Sequence, residues 1–74
     1  MKVTYDKDQD ALYISFNPEA EIHITDEFKE NLLVDYDESQ KMVGIEITNA
    51  KKTLGEVALL RISNWPTLMV LELR

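Results

Sequence analysis

The chain contains no cysteine, one histidine and only two glycines among its 74 residues. It therefore has no disulfide and no thiolate ligand, and His23 alone is a poor basis for a structural zinc site. A core of this size supplies roughly 3–5 kcal/mol, and small domains usually add a staple. Very regular packing or oligomerisation remains as the source of further stability, and we favour oligomerisation.

Long apolar runs are also missing. No stretch reaches the ~20 apolar residues that a transmembrane helix needs, and the first residues show no apolar signal segment. We therefore expect a cytoplasmic protein with no membrane partner. Gly44 and Gly55 are too far apart for a phosphate-binding loop, and no serine lies in a nucleophile motif. We expect no cofactor.

Positive charge is scarce as well. The formal net charge is −6, and residues 1–38 carry eleven acidic against three basic side chains, a balance of −8. Such a surface repels phosphate, so nucleic acids and anionic membranes are poor partners. A basic protein or a cation is easier to accommodate, although solubility alone explains the same charge.

The apolar residues alternate with polar ones in five runs, as is typical of strands with one covered face. The runs are Lys2–Asp6, Ala11–Phe16, Glu21–Thr25, Leu32–Tyr36 and Met42–Ile47. Short polar connections at residues 7–10 and 38–41 predict two hairpins. Residues 26–30 fit either a helical turn or a continuation of the third strand.

After Thr48 the pattern changes to a broken helical period. Asn49 is a suitable N-cap, and Gly55 weakens the helix by about 1 kcal/mol relative to alanine. Residues 56–63 fit a strand equally well.

The last segment, Leu68–Leu73, follows a predicted turn at residues 64–67 and is apolar on both faces except at Glu72. Such a strand is central in a sheet or pairs with another chain, because as an exposed edge it would aggregate. We therefore predict a single α+β domain. It has a small antiparallel β-sheet of about five strands, with one short helix and an additional C-terminal strand.

Four segments in order resemble a known family. They are Tyr5-Asp6, Asp10-Ala11-Leu12-Tyr13-Ile14, Asp35-Tyr36-Asp37 and Val43-Gly44-Ile45-Glu46-Ile47. Their spacing over residues 3–50 resembles domain of unknown function 2283 (DUF2283), a small prokaryotic family. The resemblance implies a compact sheet with a helix and no established activity. Because members are often encoded beside toxin-like proteins, it also implies an antitoxin-like partner role. Residues 51–74 then form an extension of the family-like core.

The chain departs from this family pattern at two places. Gln40 stands where the family usually has glycine in the second hairpin turn. If that turn keeps a left-handed residue, glutamine costs roughly 1–2 kcal/mol; otherwise another turn type is used. The second departure is Asn49-Ala50-Lys51 in place of Asp-Ala-Ser, which keeps the capping chemistry.

Asp6, Asp8 and Asp10 have the spacing with which a calcium loop begins. That loop also needs glycine at its sixth position and a bidentate glutamate at its twelfth, where this chain has Ala11 and Asn17. A full calcium loop is therefore excluded. A weak divalent-cation site is the alternative to turn hydrogen bonds at a solvated hairpin tip, which we favour.

Asp35, Asp37 and Glu38 form a second acidic cluster. Carboxylate pairs do acid–base work only when one is desolvated and both converge on a substrate. A hydrolase using Asp35 or Asp37 with His23 is thus a third hypothesis. We favour a solvated face that discourages edge pairing, and expect no enzyme.

Apolar residues also stand on the polar face of the predicted sheet. They form a patch with Trp65 near it, which is either a second small core under the C-terminal segment or an interface. Our first hypothesis is a protein-interaction module that forms a homo-oligomer, with a dimer as the expected form, and binds a basic protein such as a toxin. The predicted interface residues are Tyr13, Leu33, Met42, Trp65, Leu68, Val70 and Leu71.

Overall fold

The alternating segments form a five-stranded antiparallel sheet followed by two short helices in the computed structural model, which describes residues 1–64. The strands are β1 (Lys2–Asp6), β2 (Ala11–Ser15), β3 (Ile24–Lys29), β4 (Leu32–Tyr36) and β5 (Met42–Ile47). The helices are α1 (Ala50–Leu54) and α2 (Glu56–Ser63). The α+β fold and the five strands are therefore confirmed.

The strand order is β1-β2-β5-β4-β3, and every neighbouring pair is antiparallel. Both predicted hairpins are present, at residues 7–10 and 37–41. A third hairpin joins β3 to β4, so residues 26–29 continue the third strand. That strand begins at Ile24 rather than Glu21. Strands β1 and β3 are the two edges of the sheet within the described residues.

One face of the sheet carries the core. Two rows of paired apolar residues cross it: Tyr5, Leu12, Ile47 and Leu32, then Val3, Ile14, Ile45 and Val34. Ala50 of α1 and Leu59 of α2 pack with Leu12 and Ile47. Leu12 is completely buried, which contributes about 1.5–3 kcal/mol. The helices therefore cover the part of this face built by β1, β2 and β5.

Residues 56–63 form a helix rather than a strand. Gly55 lies between α1 and α2 with φ 85°, a conformation that glycine adopts without steric cost. Residues 1–64 therefore contain two short helices where the sequence predicted one. Asn49 occupies the predicted N-cap position of α1, but it is left-handed and its side chain makes no capping hydrogen bond.

Gln40 keeps the left-handed conformation of the second hairpin turn, with φ 70°. The turn is held by Asp37, whose Oδ1 accepts hydrogen bonds from the backbone N–H groups of Ser39 and Lys41 at 2.8 and 2.9 Å. The glutamine therefore bears the steric cost that glycine would avoid.

Some predictions concern the end of the chain. The predicted turn beyond Asn64, the predicted strand Leu68–Leu73 and the interface positions Trp65, Leu68, Val70 and Leu71 lie outside the described residues. Within residues 1–64, neither helix has the length and apolar character that a membrane crossing requires. The cytoplasmic location stays a prediction.

Candidate functional site

Asp35 is the one buried charged residue among residues 1–64, with 7% of its surface exposed. The Tyr13 hydroxyl donates to its Oδ2 at 2.6 Å, and the Thr25 hydroxyl donates to its Oδ1 at 2.5 Å. These side chains come from β2, β4 and β3, so the cluster spans four adjacent strands of the sheet. The prediction of a solvated face is wrong at Asp35, because both carboxylate oxygens are enclosed and occupied.

Gly44 makes this cluster possible. It pairs with Ser15 on one side and Asp35 on the other, so the Tyr13 side chain crosses β5 above it. A Cβ atom at Gly44 would lie 2.0 Å from the Tyr13 hydroxyl oxygen and 2.6 Å from Cζ. Burial and then the hydrogen bond to Asp35 raise the pKa of Tyr13 to about 12. The phenol therefore stays a proton donor to the carboxylate, and the cluster holds strands together.

Two of the predicted interface residues share this face of the sheet. Tyr13 and Leu33 flank Glu46 in one cross-strand row, so a carboxylate separates the two apolar side chains. Met42 is 48% exposed and pairs with Tyr36, outside that row. The structure therefore brings Tyr13 and Leu33 near each other without forming a continuous apolar patch. Their role in an interface stays a prediction.

The acidic tip of the first hairpin makes turn hydrogen bonds, as the favoured interpretation predicts. Asp6 Oδ1 accepts the backbone N–H groups of Asp8 and Gln9 at 3.0 and 3.2 Å. Within residues 1–64, no three or more histidine, aspartate or glutamate side chains form a group that could hold a metal ion. Weak cation binding by Asp6, Asp8 and Asp10 stays an untested prediction.

Asp10 connects this hairpin to the first helix. Its carbonyl oxygen accepts the N–H of Ala50 at 2.9 Å, and its carboxylate accepts the N–H of Lys51 at 3.2 Å. The Tyr5 hydroxyl donates to the same carboxylate at 2.6 Å, and this hydrogen bond is the main reason that the pKa of Tyr5 rises to about 12. Asp10 thus does the capping work that the sequence assigned to Asn49.

Asn31, in the β3–β4 turn, makes a second connection to the start of α1. Its side-chain Oδ1 accepts hydrogen bonds from the Thr48 hydroxyl and the Asn49 amide, both at 2.9 Å. Its carbonyl oxygen also accepts the Thr48 N–H. Its left-handed φ of 68° suits asparagine, which is the signal that could have located this turn in the sequence.

His23 lines two open clefts beside the second hairpin. Asp37 and Glu38 line both clefts with it, and Asp35 lines neither. The Asp37 carboxylate is already an acceptor for two turn amides. The structure therefore places His23 near Asp37 but does not join it to Asp35, as one version of the hydrolase hypothesis requires.

The β3 edge is the most exposed strand of the sheet, and no strand in the described part of the chain pairs with its outer side. All six of its residues are exposed. Phe28 is 72% exposed and Ile24 51%, with Ile22 at 54% just before the strand. The sequence predicted that Ile22 and Ile24 share a covered face, but both are exposed because the helices cover only the part of the sheet built by β1, β2 and β5.

A second exposed apolar surface lies on α2. Val57 is 70% and Leu60 62% exposed, and they lie three residues apart, which places them on one side of the helix. Leu60 also lines a groove with Tyr5 and the last helical residue, Ser63. Neither of these exposed apolar surfaces was predicted from the sequence.

Comparison with known proteins gives one match. The family model for DUF2283, described as a protein of unknown function, matches residues 2–51. No curated protein and no solved structure matches the chain. The matched residues include the hydrogen-bonded pair Tyr13 and Asp35, Gly44, and Asp10, which connects the first hairpin to α1.

Proposed function

Because the chain belongs to the DUF2283 family, whose name assigns it no activity, we propose its function from the exposed surface: an interaction module that forms a homodimer through the β3 edge. One observation carries this proposal. Strand β3 exposes Phe28 and Ile24, and no strand among residues 1–64 pairs with its outer backbone groups.

An exposed sheet edge is a template for another strand, because its outward N–H and C=O groups are ready to pair. Soluble monomers usually protect such an edge with charge, bulges or proline. Strand β3 has both exposed charges, at Asp26, Glu27 and Lys29, and a bulge between Glu27 and Lys29, yet Phe28 within that bulge is 72% exposed. Burying Phe28 and Ile24 against a second chain removes apolar surface from water, which favours association.

The hydrogen bonds of Asp35 and Asp37 within the domain argue against a catalytic role for these two residues. Both oxygens of Asp35 accept hydrogen bonds from Tyr13 and Thr25, and Asp37 accepts two from its own turn. A general acid or base needs a free position facing a substrate. We therefore propose that the domain is not an enzyme.

The mass of the protein in solution tests the homodimer. Sedimentation across a range of concentrations should show a dimer for the native chain. A Phe28→Glu variant should weaken dimerisation at least tenfold, because it places a carboxylate in the buried interface. Val57→Glu is the matched control, since Val57 on α2 is equally exposed at 70%. A native chain that is monomeric throughout, or a Phe28→Glu variant that dimerises as well as Val57→Glu, would contradict the proposal.

A second candidate is a basic extended segment of another protein on the same edge. Asp26 and Glu27 of β3 and Glu30 in the following turn are all exposed, so the apolar side chains stand among carboxylates. If sedimentation shows that the native chain is a monomer, we propose that such a segment is the partner of the β3 edge. Calorimetric titration with a synthetic peptide of alternating lysine and valine tests it. Binding should weaken with salt and in a Glu27→Gln variant; binding that is unaffected by either would exclude this candidate.

A further inference from the structure

We infer that β3 pairs with β3 of the second copy in the proposed homodimer, antiparallel and with Thr25 on the two-fold axis. This inference rests on the proposed homodimer and names the partner strand and the alignment that form it. Three properties of the β3 edge support it: the symmetry of a closed dimer, the alternation of side chains along the strand, and the positions of its carboxylates.

Symmetry selects the strand that faces β3. A homodimer closes when both copies use the same surface. If β3 paired with β1, the other edge among the described strands, each copy would keep one free edge and the contact would repeat into an open chain. Two β3 strands related by a two-fold axis perpendicular to the sheet run antiparallel, as every neighbouring pair within the sheet does. The two sheets then join into one.

The alternation of side chains restricts the alignment. Thr25 pairs with Asp35 on the side of the sheet away from the helices, and the two-residue period gives His23 and Glu27 the same side. Directly opposite residues in a strand pair point to the same side, so the axis has to pass through a residue and not between two. The ladder is regular from Ile24 to Glu27, before the bulge, which leaves four candidate positions for the axis.

The carboxylates exclude three of these positions, because like charges directly opposite each other destabilise a strand pair. An axis through Asp26 or through Glu27 places that carboxylate opposite its own copy. An axis through Ile24 places Glu27 opposite Glu21, and both are exposed and acidic. Thr25 is the position that remains.

An axis through Thr25 brings complementary side chains together. The two Thr25 side chains stand opposite each other, and threonine pairs of this kind stabilise antiparallel strands. His23 of each copy stands opposite Glu27 of the other, so that an imidazole N–H can donate to a carboxylate on both sides of the axis. All of these residues are exposed in the single chain, so none has to leave the core to make these contacts.

The chain just before β3 extends the new strand pair. The N–H of His23 donates to the carbonyl oxygen of Tyr36 at 2.8 Å, so the backbone already runs beside β4 at this point. Ile22 then stands opposite Phe28 of the second copy. These two side chains are 54% and 72% exposed in the single chain, and their contact removes apolar surface from water.

Cysteine cross-linking of the full chain tests the position of the axis, because the native sequence contains no cysteine. A residue on the axis lies about 4.5–5.5 Å from its own copy between Cα atoms, within the range of a disulfide. Thr25→Cys is therefore oxidised at a concentration at which the native chain is a dimer. Asp26→Cys and Glu27→Cys are the matched controls, since both residues are exposed on the same strand and would lie more than about 7 Å from their copies.

We expect the Thr25→Cys variant to form its linked dimer at least about tenfold faster than either control, because only its two sulfur atoms are held within bonding distance. A second sample leaves the hydrogen bond from Thr25 to Asp35 intact. In it, His23→Cys and Glu27→Cys chains are mixed, refolded together and oxidised. The linked heterodimer should exceed both linked homodimers.

Fastest linking of Asp26→Cys or Glu27→Cys to itself would overturn the inference, because the axis would then lie at that residue. If the Thr25→Cys variant does not fold, the mixed sample decides, and a lack of linked heterodimer there overturns the inference. If the native chain sediments as a dimer and neither sample links, the inference fails while the homodimer stands. If the native chain is monomeric, both fail.

Discussion

Replacing Gly44 by alanine tests whether the Tyr13–Asp35 pair stabilises the sheet. The new Cβ atom would lie 2.0 Å from the Tyr13 hydroxyl oxygen, well inside contact distance. The atoms in the way belong to the end of a side chain, so the ring can move. To restore a contact of about 3.5 Å it has to shift by more than about 1 Å. The 2.6 Å hydrogen bond to Asp35 cannot survive that shift.

The cost follows from the loss of that hydrogen bond. Removing a donor from a buried charged acceptor costs about 1.5–3 kcal/mol, and Asp35 keeps only the Thr25 hydroxyl. Alanine suits a strand better than glycine by roughly 0.5–1 kcal/mol, which offsets part of the cost. We expect Gly44→Ala to lower the free energy of unfolding by about 1–2 kcal/mol. For a domain of this size that lowers Tm by several degrees, since 1 kcal/mol corresponds to roughly 4–8 °C.

A double-mutant cycle with Tyr13→Ala isolates the clash, measured by urea denaturation at one protein concentration. In the Tyr13→Ala background the new Cβ meets no ring, so Gly44→Ala should be neutral or slightly stabilising. The coupling between the two substitutions should therefore be about 1.5–3 kcal/mol. Equal destabilisation by Gly44→Ala in both backgrounds would refute the reasoning, because Tyr13 would then not be its cause.

Three further predictions follow from the turns and the two tyrosine hydrogen bonds. Gln40→Gly should raise the free energy of unfolding by about 1 kcal/mol because it removes the left-handed strain at φ 70°, whereas Gln40→Ala should give no such gain in urea denaturation. Asp10→Ala should lower the free energy of unfolding, measured by thermal denaturation, by about 1–2 kcal/mol because the N–H of Lys51 loses its cap, and Asp10→Asn should lose less because asparagine suits the left-handed conformation of residue 10, at φ 52°. Tyr5 and Tyr13 keep their protons in the folded state above pH 10, where the tyrosines of the unfolded chain ionise. The free energy of unfolding should therefore keep its highest value below pH 10 and decrease as the pH rises towards 12. Urea denaturation across that range should show a shallower fall for Tyr13→Phe; an unchanged slope would contradict the raised pKa.

The strands could be predicted where local pattern and tertiary position agree. Val43, Ile45 and Ile47 alternate with Met42, Gly44 and Glu46, and the helices cover the side of β5 that carries Ile47, so the pattern agrees with burial. Strand β3 was harder, because Ile22 and Ile24 alternate in the same way and yet are exposed. Their exposure depends on how far the helices extend over the sheet, which no local pattern contains.

The contacts of Asp35 could not be predicted for a related reason. Its donors come from residues 22 and 10 positions earlier in the chain. They meet only because β5 lies between β2 and β4, and because Gly44 leaves room for the Tyr13 ring. The sequence shows Tyr13 as an apolar residue on a polar face, which indicated an interface. Its hydroxyl, which the alternation ignores, has an acceptor within the domain.

Several residues that carry the family resemblance therefore stabilise this fold. Asp10 caps α1, the hydrogen bond between Tyr13 and Asp35 links β2 to β4, and Gly44 leaves room for the Tyr13 ring. Side chains whose polar atoms are all engaged within the domain have little left to offer a ligand. The exposed apolar residues of β3 lie within the matched region but outside the four segments that carry the resemblance, and α2 lies after residue 51, beyond the match. The binding function proposed above therefore rests on surfaces outside the segments that carry the resemblance.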